Sequence, residues 1–245
     1  IYANDNEIRI LKLINAEADY KSQSLQLPSA PLLLEHQESG DYTIDLRPEI
    51  TLANLSFNVT HENLEKRKVF GDLRFRQAMS IALNRDEINE VAFLGQGIPK
   101  QYVGFSPSPS FVDPKWESYM IQYDPEGANA LLDEIGMKDI DGDGMRELPN
   151  GEKLILNMQF ATQGVAGELV ELAGQQWSEV GIQSTVKEVT PDEYRSSQSS
   201  NNLDVGSWRK SQPMAIVLGN NELWVPPFEN YFGHRTGMLW AEYVD

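Results

Sequence analysis

Asp139, Asp141 and Asp143 alternate with Ile140, Gly142 and Gly144. Carboxylates at every second position of a turn can converge on a hard cation such as calcium through oxygen ligands, and the glycines permit the sharp bend. The helix–loop–helix calcium loop needs a glutamate at its last position. Here Asn150 takes that place, Glu147 comes three residues early, and a strand rather than a helix is expected to follow. The competing reading of Asp139, Asp141 and Asp143 is a tight acidic turn that holds no ion.

A second group gathers late in the chain. Trp208, Trp224 and Trp240 follow residue 207, alongside Phe228, Tyr231 and Phe232. Arg209, Lys210, Ser211, Asn220 and Asn221 are interleaved with them. Flat apolar rings that stack a ligand, with a few polar groups to orient it, are the chemistry of a binding cleft. Ordinary packing of aromatics under a long loop gives the same composition. A third group, Lys66, Arg67, Lys68, Arg74 and Arg76, could anchor an anion or pair with acids on a helix surface.

Catalytic patterns are missing. His36, His61 and His234 have no metal-binding spacing, and no nucleophile elbow, phosphate-binding loop or dinucleotide fingerprint occurs. A hydrolase using two carboxylates is left open only because acids are abundant. The reading is therefore of binding, not of an enzyme.

Thirty-seven acids against 20 lysines and arginines give a formal charge of −17 over 245 residues. That balance excludes a nucleic-acid binder, which needs a basic surface to displace counterions. The excess is local: residues 107–152 hold eleven acids and three bases. This stretch reads as a solvated acidic face, with an electrostatic docking surface as the alternative. There is no cysteine, hence no disulfide and no thiolate chemistry. No apolar run approaches the ~20 residues that cross a bilayer. The start at Ile1, Tyr2 and Ala3 is expected to be that of a trimmed piece or mature fragment.

These groups need elements to position them. Apolar spacing predicts helices over 7–20, from Asp72 through Ala82, over 84–92, from Asp124 to Ile135 and over 165–180. Asn84 with Glu87 forms a capping-box pattern, Asp124 and Pro125 open a helix, and Gly136 closes it. Strands are expected at 42–46, 55–59, 154–160, 182–189 and 203–208, and Thr190 caps a short helix. Residues 21–40 read as turns, 62–68 as a charged connector and 98–116 as a loop. Alternating strands and helices in the second half predict a mixed α/β domain with parallel connections.

Four ordered blocks then resemble a known family. The run from Phe70 to Ile88, with Asp72, Arg74, Arg76, Gln77, Ala78, Arg85 and Ile88 in place, is similar to a signature of family 5 extracellular solute-binding proteins. Ala16 to Asp19, Tyr123 to Gly136 and Trp177 to Ile182 resemble three further blocks of the same family. These proteins are the peptide- and nickel-binding components of ABC importers.

The resemblance covers about residues 7–208 and implies an α/β, periplasmic binding protein-like type II lobe, a mixed sheet with flanking helices. Residues 1–54 would be the end of the first lobe and the crossover. Residues 55–245 would be the second, ligand-binding lobe, cut before its return strands. The implied partners are a small-molecule or peptide solute and an ABC permease. The implied location is periplasmic or cell-surface, with any membrane attachment ahead of Ile1. The acidic turn recurs in relatives, which weakens it as a calcium signal. Peptide binders of the family often carry an Asp just after the tryptophan matched by Trp208. Here Arg209, Lys210 and Ser211 follow, which disfavours a free α-amine and leaves an anionic or sugar-like ligand open. Trp208, Arg209, Lys210, Ser211 and Asn220 are the implied ligand residues.

Overall fold

A computed structural model describes residues 5–21, 25, 27–46, 54–101, 108–161, 164–208 and 243. Helices α1 (Asn6–Ile14) and α2 (Ala30–Glu35) precede strand β1 (Asn54–Phe57). Then come α3 (Leu64–Gly71), α4 (Leu73–Ile81), α5 (Arg85–Phe93) and α6 (Pro125–Glu134). The chain continues through β2 (Ile155–Phe160), α7 (Gly167–Glu179), β3 (Gln183–Glu188), α8 (Pro191–Ser199) and β4 (Val205–Trp208).

The sheet runs β1-β4-β2-β3, with β2 parallel to both β3 and β4. Only β1 is antiparallel, pairing Asn54 with Trp208 and Phe57 with Val205. On β2 the alternation is clean: Leu156, Met158 and Phe160 are buried while Ile155 and Asn157 face outward. Met158 lies beside Val205 and Gln159 beside Gly206, so each pair shares a face of the sheet.

The inner face carries the main core. Trp177, Phe70, Phe75 and Met79 are buried there, and Phe57 meets Phe75 edge-on at 5.0 Å. A smaller cluster of Ala161, Val189, Tyr194 and Leu203 packs against Trp208.

Several caps follow the expected chemistry. The Asn84 side chain accepts the Glu87 N–H at 3.2 Å, and Asp124 accepts that of Gly127 at 2.8 Å. Thr190 accepts the Glu193 N–H at 3.2 Å, and Gly136 takes a positive φ of 83° just past α6.

Other expectations are corrected. The first helix stops at Ile14 instead of continuing to 20, because Ala16 turns left-handed at φ 52°. Along it Ile8 and Leu11 are exposed, while Ile10 is buried. Residues 42–46 form no strand: the Tyr42 hydroxyl instead donates to the Leu33 carbonyl at 2.7 Å, tying the segment to α2. That short helix stands within the stretch read as turns. The charged connector is largely helix α3, started by Asn63, whose side chain accepts the N–H groups of Glu65 and Lys66. Asp72 ends α3 and caps α4, its side chain accepting the Arg74 N–H, so the helix expected from Asp72 begins there.

Candidate functional site

In open α/β sheets ligands bind outside the carboxyl ends of parallel strands. Here that edge carries Phe160, Glu188 and Trp208, with Asn54 of antiparallel β1 beside Trp208. Trp208 is partly exposed, and its ring rests on Tyr194 at 5.1 Å with a 34° tilt. A Cβ on Gly164 would collide with the indole, so only glycine lets the turn after β2 lie against it. Tyr194 locks the strand end: its hydroxyl oxygen accepts the Ser207 N–H at 2.8 Å, and the Ser207 hydroxyl donates to the Gln159 carbonyl at 2.7 Å.

Beside Trp208, on the outward face, stand Asn54, Ser56, Gly206 and Gln159. The Asn54 amide donates to the Ser56 hydroxyl at 3.2 Å. Gln159 Oε1 is buried and has no hydrogen-bond partner among the described residues. Of the sequence-derived ligand residues, Trp208 lies at this edge, whereas Arg209, Lys210, Ser211 and Asn220 fall outside the described residues, as do Asn221, Trp224, Phe228, Tyr231, Phe232 and Trp240. Sequence reading passed over Gln159, because a lone glutamine on an alternating strand reads as one more outward polar residue.

The acidic turn is held by its own groups. Asp139 accepts the N–H groups of Gly142 and Gly144 at 2.7 and 2.9 Å. Lys153 reaches Asp141 at 2.7 Å and Asp143 at 2.9 Å. These contacts hold the Asp143 carboxyl below, and the Lys153 ammonium above, their ordinary ranges. Among the described residues, the carboxylates that come within 4.8 Å of one another are Asp139, Asp141 and the buried Glu147, so Glu147 and not Asp143 completes the group a cation could use. Glu147 also accepts the Ile140 N–H at 2.7 Å.

The basic cluster is spent internally. Lys66 pairs with buried Asp204 at 2.8 Å, and Arg67 donates to the His61 carbonyl at 2.7 Å. Lys68 pairs with Glu65, Arg74 with Asp72, and Arg76 caps the Phe70 carbonyl. Asp204 is the hub: His61 Nε2 lies 3.0 Å away, and the Asn157 N–H donates at 2.7 Å. His61 Nδ1 accepts the Asn63 N–H at 2.9 Å, which places the ring proton on Nε2, toward Asp204. This hub lies at the amino end of β4, opposite Trp208. It fixes the sheet to the start of α3.

Among the described residues Arg85 pairs with carbonyls and a hydroxyl rather than with an acid. It donates to the Ser80 and Ile121 carbonyls at 2.7 and 3.2 Å, and burial lowers its pKa to about 10. Placed past the end of α4, it ties the last turn of that helix, through Ser80, to the segment ahead of α6, through Ile121.

Among the described residues no helix is long and apolar enough to cross a membrane. A glutathione-binding protein, GsiB, of Pectobacterium atrosepticum is 26% identical over 182 residues, covering 74% of this chain and 30% of that protein. A periplasmic alpha-galactoside-binding protein of Rhizobium meliloti is 29% identical over 119 residues, 43% of this chain and 17% of that protein. The solved structure of an oligopeptide-binding protein, OppA, superposes with a TM-score of 0.69 and 30% identity over 94% of this chain and 37% of its own. This chain thus spans less than a third of each of the two curated relatives. The mixed sheet with flanking helices is the fold of type II periplasmic binding proteins. Residues 1–215 match the bacterial extracellular solute-binding proteins, family 5 Middle, and the chain belongs to that family.

Proposed function

We propose that this chain is part of the substrate-binding component of an ABC importer. The carboxyl edge around Trp208 would form one wall of a cleft that takes a small solute such as a peptide or an oligosaccharide. Residues 1–54 end a first lobe and 55–245 belong to the second, so the opposite wall comes from the rest of the first lobe. The two lobes close on the solute by hinge motion, and the closed form docks on a permease at the outer face of the membrane. The work is capture and release, without chemistry on the solute.

The observation that carries this reading is the placement of a partly exposed tryptophan, Trp208, at the carboxyl edge of the sheet in a chain matching the family over residues 1–215. The named binders of glutathione, alpha-galactosides and oligopeptides among its relatives support it. Native mass spectrometry of the full-length protein purified from its host tests it. One small solute per protein, released chemically unchanged, is expected. A hydrolysed product in its place would favour the carboxylate-pair hydrolase.

A further inference from the structure

The ladder between β2 and β4 ends just short of Trp208. It pairs Met158 with Val205 and Gln159 with Gly206, and among the described residues it goes no further. Beyond that point side chains make the connection. The Ser207 hydroxyl donates to the Gln159 carbonyl at 2.7 Å, and the Ser207 N–H donates to the Tyr194 hydroxyl at 2.8 Å. Ser207 is fully buried, so its N–H needs an acceptor from the protein.

That acceptor comes from α8, of which Tyr194 is the buried residue, only 3% exposed. Its other members are Pro191 and polar or charged residues, so the helix takes its apolar anchorage from this one ring. The ring packs with Ala161, Val189 and Leu203, and it lies against the Trp208 indole at 5.1 Å. Tyr194 also covers Gly206, where an added Cβ would meet the hydroxyl oxygen at 3.7 Å. The six-membered ring of the indole abuts Gly164, in the turn after β2. Two elements, that turn and α8, therefore fix the indole while it remains partly exposed.

A tyrosine serving only to fill the core needs its ring and not its hydroxyl. Here the hydroxyl holds the main chain of the residue directly before Trp208. A solute that packs on a free indole must immobilise it at the moment of binding. Fixing the ring beforehand spares that cost, which is worth about twofold to tenfold in affinity.

Resting on the reading of this edge as the solute wall, we propose that Tyr194 is a positioning residue for solute capture. Its hydroxyl fixes the main chain at Ser207 and its ring fixes the indole. Trp208 thus presents one set face before the solute arrives.

The test uses the full-length protein as wild type, Tyr194→Phe, Trp208→Leu and the double variant, with circular dichroism confirming the fold of each. In protein labelled with 5-fluorotryptophan, the fluorine resonance of Trp208 is the one lost in Trp208→Leu. Tyr194→Phe is expected to shift or broaden that resonance and to leave those of Trp116 and Trp177 in place. An unmoved Trp208 resonance overturns the proposal. The host-purified proteins are then dialysed side by side, and native mass spectrometry reads the share of molecules keeping the co-purified mass. Tyr194→Phe is expected to keep less than wild type, in line with a twofold to tenfold weaker affinity. The double variant is expected to keep as much as Trp208→Leu alone, because the hydroxyl acts through the indole. Retention equal to wild type in Tyr194→Phe, with loss in Trp208→Leu, overturns the role of Tyr194 and leaves the solute wall standing. Retention equal to wild type in both single variants overturns the solute wall itself.

Discussion

The indole N–H of Trp177, on α7, donates to the main-chain carbonyl of Met79, on α4, at 2.8 Å across 98 residues of sequence. Trp177 is 1% exposed and also touches Phe57 of β1 at 5.5 Å, so one side chain joins a helix pair to the sheet edge. Replacing it with Phe removes the donor, leaves the Met79 carbonyl short of a partner and opens space in the core. A loss of about 2–4 kcal/mol is expected. Urea unfolding of the chain measures it.

In the Lys66–Asp204 pair the carboxylate is buried and the lysine half-buried, with side-chain exposures of 3% and 18%. Removing one partner strands the other charge, and Lys66→Met is expected to cost about 3–5 kcal/mol. The double variant Lys66→Met, Asp204→Asn removes both charges and should recover part of that loss. A double-mutant cycle by chemical denaturation reads the coupling directly.

At the acidic turn the sign of the pH dependence follows from Lys153. Its contact holds the Asp143 pKa down, so the carboxylate's contribution is present above the ordinary Asp value and fades as pH falls through the lowered one. The Lys153 pKa is raised, so its contribution is complete below the ordinary lysine value and fades as pH rises through the raised one. Carboxyl NMR should show Asp143 titrating at lower pH than a free Asp, and returning upward in Lys153→Ala. Because Lys153 and the backbone N–H groups of Gly142 and Gly144 already satisfy Asp139, Asp141 and Asp143, chelation should leave the melting temperature unchanged. Calcium addition should leave it unchanged as well.

Gly164 offers a probe of the Trp208 edge that leaves every polar group in place. Gly164→Ala sets a methyl against the indole and must displace one or the other. A shift in tryptophan fluorescence and a loss of about 1–3 kcal/mol are expected, since overpacking a tight contact costs that much.

Much of this architecture was legible in the sequence where local chemistry decides it. Asn84, Asp124 and Thr190 announce their helices because a short polar side chain followed by an apolar helical period caps the open backbone N–H groups of the first turn. The alternation of Leu156, Met158 and Phe160 declares a strand with one buried face. Legibility failed where long-range contacts decide. Val69 and Phe70 turn a charged stretch into helix α3 because the core lies beneath them, and the sequence offers no warning of that core. Tyr42 alternates like a strand residue, yet its hydroxyl prefers the Leu33 carbonyl. Of the site, Trp208 was legible as an aromatic ending a strand. Gln159 was not, because its unpaired oxygen exists only once β4 lies beside β2.

The central claim is that the edge bearing Trp208 is the wall that holds the solute. The most direct measurement is a titration of the full-length protein with the solute released from its host-purified form, comparing wild type with Trp208→Leu while circular dichroism follows the unfolding midpoint. The account predicts an affinity loss of about tenfold to a hundredfold, on the scale of one stacked aromatic contact of ~1.4–2.7 kcal/mol, with the fold intact. An unchanged affinity in a folded Trp208→Leu protein would contradict it.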